Sequence, residues 1–328
     1  MCHDLDVLVE SVPNYSEGRR LDVVDRLAGA VTAEPGAYLL DRTSDPSHNR
    51  SVLTLAGEAP AVSAALEATV EIAIDAIDME RHTGEHPRIG AVDVVPFVPL
   101  GDTTIDDCVA LARSFGQHVG ERFEIPVYLY ARAATRPERV RLADVRRGGF
   151  EAVRDEIATD AGRAPDFGPH RTHPRAGAMA VGARPFLIAW NVNLESTDLD
   201  LAKRIARTVR ESGGGLPAVQ ANGFMIEELA CAQVSMNLLD FATTPMWQAW
   251  EAVVALAAEA GTAVRESELI GLAPLAAFDD VARHAGVDAT VPVEERFAAA
   301  ASFLRLRDAD PAMALEIRLA RAQATAAA

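Results

Sequence analysis

Four short stretches of this sequence concentrate side chains able to move protons or hold ions: residues 13–18 (Pro-Asn-Tyr-Ser-Glu-Gly), 41–50, 81–88 (Arg-His-Thr-Gly-Glu-His-Pro-Arg) and 166–177. The third is the most suggestive. His86 stands between Glu85 and Pro87, directly before an apolar run, and the following proline biases it toward an extended backbone. An imidazole there can give or take a proton near neutrality, because its unperturbed pKa is about 6.5. The same spacing also fits a surface-turn histidine bonded to backbone. Arg50, Arg88, Arg171 and Arg175 could clamp carboxylates through two parallel hydrogen bonds, or could balance acidic neighbours.

Other chemistries find less support. His82 and His86 are four apart and His170 and His173 three apart, so either pair could share a helix face. The pattern is not His-Glu-x-x-His, however, and Gly84 and Pro87 oppose a helix through the first pair, so no metal is expected. Gly213-Gly-Gly lacks a following Lys-Ser/Thr and reads as a turn, not a nucleotide cradle. No Gly-x-Ser-x-Gly occurs, and Cys108 and Cys231 lie in apolar surroundings that suit packed thiols better than nucleophiles. With Cys2 they make three, widely spaced, which fits neither a disulfide framework nor a thiolate zinc site.

The elements that must position these stretches alternate. Hydrophobic periodicity predicts strands over 6–12, 38–41, 51–55, 92–98 and 126–130. Helices are expected from Leu21, from Pro60 and over 104–119. After Arg184 the order resumes with a strand over 186–192 and a helix whose Leu199, Leu201, Ile205 and Val209 match Leu21, Val23, Leu27 and Val31 at an offset of 178. Val62, Leu66 and Val70 match Met246, Trp250 and Val254 at 184, and Phe97-Val-Pro-Leu matches Leu272-Ala-Pro-Leu at 175. The reading is a duplicated α+β unit of split βαβ, ferredoxin-like type, with helices over one sheet face and a ligand cleft between the copies. The expected divisions are 1–180, 181–285 and a peripheral helical extension over 286–328, with 136–177 as a long irregular segment between the copies, a binding loop or a linker.

Length and charge agree. At 328 residues the chain is long enough for about two cores, and 49% hydrophobic residues can fill them. A net charge of −17 gives no long-range attraction for phosphate backbones or anionic membranes, so nucleic acid and membrane partners are not expected. No stretch of about 18 uncharged apolar residues occurs, and the opening Met-Cys-His-Asp-Leu-Asp has neither a basic nor an apolar region, so a cytoplasmic protein is expected.

The same loops resemble the formiminotransferase family, enzymes that move a formimino group from N-formimino-L-glutamate to tetrahydrofolate in histidine breakdown. The resembling motifs begin at Val12 (VPNYSEG), Asp45 (DPSHNR), Gly84 (GEHPRIGAVDVVPFVP), Pro126 (PVYLY), Ala164 (APDFGP), Gly182 (GARPFLIAWNVNL) and Gln233 (QVSMNLLD), in that order. The resemblance implies two ferredoxin-like subdomains, tetrahydrofolate as co-substrate, small-molecule substrates and a homodimer. It implies that His86 is catalytic and that folate lies along Gly168-Pro169-His170-Arg171-Thr172-His173-Pro174-Arg175-Ala176-Gly177. On that chemistry Asp45 is the first candidate to hold the cationic formimino group and Glu85 the second. Arg50 or Arg88 suits the glutamate carboxylates, and Asn14 joins them as a substrate contact. The segment 170–177 and Gly213-Gly-Gly depart from the Ser-rich and Lys-rich stretches of the bifunctional animal enzymes, and no cyclodeaminase domain follows, so another protein is expected to deaminate the product. A different donor such as formiminoglycine, and a non-catalytic folate-binding protein, are the competing readings.

Overall fold

The computed structural model describes residues 7–327; Cys2 and the first residue of the strand expected at 6–12 lie outside them. The architecture is mixed α+β, and contacts divide the chain into two compact units, up to Arg184 and from Pro185 onward.

In the first unit β1 (Leu8–Ser11) and β2 (Asn14–Tyr15) are successive pieces of one line, interrupted at Val12-Pro13. Then follow α1 (Leu21–Ala33), β3 (Ala37–Asp45), β4 (Arg50–Glu58), α2 (Ala59–Ala76) and β5 (Val92–Pro99). β1 and β2 lie antiparallel between β4 and β5, and β3 pairs outside β4. α1 turns Val23, Val24, Leu27, Ala28 and Val31 inward, and α2 does so with Val62, Leu66, Val70 and Ala73, the helical spacing of an apolar stripe. The Tyr15 hydroxyl, fully buried, donates to Thr69 Oγ1 at 2.9 Å and ties β2 to α2.

The chain then extends the sheet beyond this set. α3 (Ile105–Arg122), closed at its start by a Thr104–Asp107 capping box, leads to β6 (Val127–Ala131). After α4 (Leu142–Val145) and α5 (Gly149–Glu156) comes β7 (Met179–Ala183), which inserts parallel between β5 and β6. Two expectations are corrected here. Residues 136–177 are an excursion within the first unit, not an irregular link between two copies, and they contain helices. Helices also cover both sheet faces. In β6, Val127 and Leu129 join the core of α1 to α3, whereas Tyr128 and Tyr130 join Val145, Val153 and Ile157 from the excursion. The excursion is fastened by a buried pair, Arg139 Nη1 to Asp166 Oδ2 at 2.6 Å. Burying both charges is tolerable because the remaining valences are met: Asp166 also accepts the Leu129 N–H, and Arg139 donates to the Gly162 and Ala164 carbonyls.

The second unit runs β8 (Ile188–Leu194), α6 (Leu199–Val209), β9 (Val219–Ile226), β10 (Cys231–Leu238), α7 (Met246–Glu259) and β11 (Val264–Ile270). Its neighbours are ordered β9-β10-β8-β11, all antiparallel, which repeats the β3-β4-β1-β5 order of the first unit with the same chain connections. The matched helix positions therefore sit on corresponding elements, α1 with α6 and α2 with α7. Leu21 and Val254 are the exceptions, both exposed, with Val253 facing inward beside the latter. The third match does not hold, because Phe97 lies in β5 while Leu272 lies past the end of β11. α8 (Leu275–His284), α9 (Val293–Phe303) and α10 (Leu315–Ala326) complete the unit. The stretch after α9 runs beside β11, with the Ser267 N–H on Arg305 O and the Arg307 N–H on Ser267 O, so it adds to the sheet edge.

Gly90, at the entrance to β5, lies against the start of β7. A Cβ there would come within 1.7 Å of the Ala178 carbonyl oxygen. Gly90→Ala should cost about 1–3 kcal/mol, the range for overpacking, whereas Gly29→Ala, with nothing within 4 Å, should be neutral or stabilising. Urea denaturation of both variants checks the contrast.

Candidate functional site

Three loops of the first unit meet at one end of its sheet. Asn49, in a left-handed conformation (φ 48°) at the β3–β4 turn, joins them. Its Oδ1 accepts the Gly18 N–H at 3.0 Å, its Nδ2 donates to Thr83 O at 2.9 Å, and its carbonyl faces His82 Nε2 at 3.0 Å. The approach is backbone to backbone: a Cβ on Gly18 would come 2.4 Å from Asp45 O, and one on Gly84 2.3 Å from His48 O.

His86 lies on the third loop, half-buried, with its Nε2 buried and making no hydrogen bond among the described residues. Burial first, then the positive charge of Arg50 and Arg146 and the nearby His48, bring its pKa down to about 3. The imidazole is therefore neutral, and the unsatisfied Nε2 is a polar valence that a folded interior rarely leaves open. The His48 ring stands edge-on to it, 6.4 Å between centroids. Asp45 holds His48: Oδ1 accepts the Ser47 and His48 N–H groups at 2.8 and 2.9 Å, and Oδ2 lies 2.7 Å from His48 Nδ1. These contacts, the His48 N–H foremost, keep the Asp45 carboxyl below its usual range.

Arg50, the first residue of β4, is half-buried, and burial followed by repulsion from Arg146 lowers its pKa to about 10. Its Nε and Nη2 converge on Asn14 Oδ1, an amide oxygen, so its charge is not cancelled by that partner. Asp93, 1% exposed in β5, accepts the Ile89 N–H at 2.7 Å with one oxygen and Arg146 with the other. One carboxylate thus anchors the loop three residues past His86 and also the arginine beside it. Neither Asp93 nor Arg146 was singled out from sequence. A signal existed for Asp93, the lone charged residue in a continuous apolar run. For Arg146, one arginine among many in residues 136–177, there was none.

The structure thus brings together Asn14, Asp45, Arg50 and His86 of the residues expected from sequence. Glu85 is exposed on the His86 loop. Arg88 turns away to α5, where Nη1 and Nη2 meet the two Glu151 oxygens at 2.9 and 2.8 Å and Nε donates to His82 Nδ1 at 3.2 Å. That bond, with His82 Nε2 against Asn49 O, fixes His82 as a neutral tautomer, and burial lowers its pKa. Along Gly168 to Gly177 no helix forms, so His170 and His173 share no helix face. His173 closes a tight loop on Gly177, and its Nδ1 accepts the Arg175 and Ala176 N–H groups. Arg171 pairs with Glu124 at 3.1 Å, and Arg175 donates to Asp75 O at 2.6 Å. The end of the segment abuts the stretch between His86 and β5, with the Ala91 N–H on Ala176 O at 2.9 Å. Cys108 and Cys231 are buried, and burial raises the Cys108 thiol to about 12. Among the described residues no group of three or more His, Cys, Asp or Glu side chains could hold a metal ion, and no helix is long and apolar enough to cross a membrane.

A neutral imidazole with an open nitrogen, flanked by guanidinium groups, can exchange protons with an anionic ligand, the equipment of an acid–base group-transfer enzyme. Comparison with known proteins gives the class its family. Residues 8–184 match the formiminotransferase domain, N-terminal subdomain, and residues 189–298 match the formiminotransferase domain. A glutamate formimidoyltransferase of Streptococcus pyogenes serotype M1 is 44% identical over 277 residues, 84% of this chain and 92% of that one. Another, of Thermoplasma acidophilum, is 45% identical over 279 residues, 84% and 91%. The formimidoyltransferase-cyclodeaminase of Rattus norvegicus is 43% identical over 281 residues, of which this chain spans 52% of the length. The chain belongs to the formiminotransferase family of enzymes.

Because the folded pKa of His86 is about 3 and the unfolded one about 6.5, the unfolded state binds the proton first as pH falls. The full contribution to stability is present above about pH 6.5 and is lost between there and about pH 3; His82 and His173, also lowered, act with the same sign. His86→Gln, which cannot protonate, should flatten the fall in urea-unfolding stability between pH 7 and pH 4.5. An unchanged slope would show that His86 already titrates normally in the fold.

Proposed function

We propose that the enzyme transfers the formimino group of N-formimino-L-glutamate to N5 of tetrahydrofolate, giving 5-formimidoyltetrahydrofolate and L-glutamate, with His86 as the proton carrier. The observation that carries this reading is His86 itself: within the Gly-Glu-His-Pro-Arg motif, its buried Nε2 has no partner among the described residues and the ring is held neutral. Support for the substrates comes from the two relatives named glutamate formimidoyltransferase, aligned over about nine-tenths of their lengths.

The donor presents a cationic amidinium. Its carbon is attacked by the N5 electron pair, a C–N5 bond forms, and the carbon becomes tetrahedral. His86 takes the proton from N5 and returns it to the glutamate nitrogen; the bond from carbon to that nitrogen then breaks, with its electrons leaving on the amine. The formimino group stays a cation on N5 and the imidazole ends neutral, so atoms and charge balance. Asp45, already ionised at the β3–β4 turn, is the proposed anionic partner of the amidinium, with Glu85 a more exposed second. Arg50 and Asn14 are proposed contacts of the donor carboxylates. Arg88, engaged by Glu151 and His82, supports the loop instead. Tetrahydrofolate is assigned to the segment from Gly168 to Gly177, whose end is hydrogen-bonded to Ala91, between His86 and β5. Alignment of two bound substrates removes an entropic barrier that in well-oriented systems is worth up to about 7–11 kcal/mol. We further infer that both units are ferredoxin-like, split βαβ designs from one duplication; their common strand order supports this.

His86→Ala should lower the rate of folate-dependent glutamate release by roughly 10² to 10⁴ with a native circular dichroism spectrum. Undiminished turnover would remove His86 from the mechanism, and absence of transfer by the unmodified protein would remove the substrates.

A further inference from the structure

Arg146 follows α4 on the excursion, and its side chain reaches the His86 cluster. Nη2 is spent on Asp93, but Nε is buried and makes no hydrogen bond among the described residues. It therefore shares with His86 Nε2 an open polar valence in a place where open valences are costly. Arg50 adds a half-buried guanidinium whose hydrogen-bond partner, among the described residues, is the Asn14 amide oxygen. The groups facing His86 are Arg50 from β4, Arg146 from beyond α4 and His48 from the β3–β4 turn; Asp93 and Asp45 face Arg50. Asp93 is already bound to Arg146 and Ile89, and Asp45 to its own turn. Asp93 is the carboxylate paired with Arg146, and among the described residues no carboxylate is hydrogen-bonded to Arg50.

We propose that Arg146, through its unpaired Nε–H and together with Arg50, holds the α-carboxylate of the formimino donor beside His86. This deepens the function proposed above and rests on it. In the donor the nitrogen that must leave and the α-carboxylate are attached to the same carbon, so they lie only about 2.5 Å apart, taking N–C and C–C bonds of ordinary length. A proton carrier that serves the nitrogen necessarily has the α-carboxylate as its neighbour; the side-chain carboxylate reaches further off. The arrival of that anion offsets the guanidinium charge that opposes protonation of His86. The donor thereby removes the part of the opposition that comes from charge and leaves the part that comes from burial, so the imidazole is more basic in the complex than in the free enzyme.

The test compares two donors on the full chain: N-formimino-L-glutamate, and the formimino derivative of 4-aminobutyrate, which keeps the distal carboxylate and lacks the α-carboxylate. The unmodified enzyme should favour the first in kcat/KM by roughly 10- to 100-fold, the worth of a charge-assisted hydrogen bond. Arg146→Gln, whose amide can still donate to Asp93, should compress that preference to within about threefold. Arg146→Lys, which keeps a cation for Asp93 but has no Nε–H, should lose most of it and guards against a fold effect in the first variant. An equal preference in enzyme and variants overturns the proposal. A second readout does not need turnover. L-glutamate, the product, should raise the titration midpoint of the His86 ring, assigned by its loss in His86→Gln, in the unmodified protein and not in Arg146→Gln; 4-aminobutyrate should raise it in neither. If no transfer occurs at all, the function proposed above fails, and the carboxylate site stands or falls on this titration alone.

Discussion

The first unit's site depends on the side chain of Asn49. Three loops converge there without regular pairing, and irregular backbone near an interior must still find partners for its N–H and C=O groups. One primary amide can accept with its oxygen and donate with its nitrogen, and here it does each toward the backbone of a different loop, while the backbone carbonyl of the same residue faces the His82 side chain. Aspartate could not donate, and serine would be too short to span both. The left-handed backbone that Asn49 adopts is one that asparagine tolerates better than most residues. Gly18 and Gly84 complete the arrangement by letting the loops close to a distance no Cβ would allow.

On this frame the local electrostatics run against those of the whole chain. A net charge of −17 is spread over a solvated surface, where each carboxylate is screened within about 8–10 Å. Around His86 the balance reverses because Arg50 is paired with an amide oxygen instead of a carboxylate, and because Asp93 is shared between Arg146 and a backbone N–H. Pairing Arg50 with a carboxylate in place of Asn14 would neutralise the cluster and erase its pull on an anion. Asp93 is the exception that proves necessary: with two guanidinium groups this close, one buried carboxylate is what makes their approach tolerable.

Much of this organisation could be read from the sequence because the relevant signals are local. The stripes of α1, α2 and α6 repeat at helical spacing, the turn chemistry of Asp45-Pro-Ser-His-Asn49 is explicit, and proline after His86 marks an extended approach to β5. What escaped is what local signals do not contain. β7 is a five-residue strand of small and aliphatic residues whose partners, β5 and β6, lie about 50 or more positions earlier, and nothing in its own pattern announces a parallel insertion. The excursion over 136–177 looks irregular because it is polar, yet a polar segment can order when its charges find buried partners, as Arg139 and Asp166 do. Leu272-Ala-Pro-Leu resembled Phe97-Val-Pro-Leu in composition but falls past its strand, since apolar residues flanking a proline suit a strand end and a helix start equally well. The partnership of Asp93 with Arg146, separated by 53 positions, is a tertiary fact of the same kind.

The cluster also has a direction, and the direction bears on how a zwitterionic donor would lie. Asp45 at the β3–β4 turn orients His48 and lies opposite Arg50 in the β3–β4 pairing, Asp93 holds Arg146, and the neutral His86 ring has Arg50, Arg146 and His48 as its charged and titratable neighbours. On the proposed reading the amidinium lies toward Asp45 and the α-carboxylate toward the guanidinium groups, which places the scissile carbon–nitrogen bond across the imidazole. A donor reversed in the site would set its cation against Arg50 and its anion against Asp45, two repulsions in place of two attractions. The same polarity explains why a base of depressed basicity is serviceable. In the absence of donor, burial first and the guanidinium groups second keep the imidazole from being protonated, so Nε2 retains its electron pair; once the carboxylate has met them, the part of that opposition that came from their charge is offset. Binding and activation then draw on one set of charges, and an amidine lacking the carboxylate would meet an imidazole whose basicity the guanidinium groups still depress.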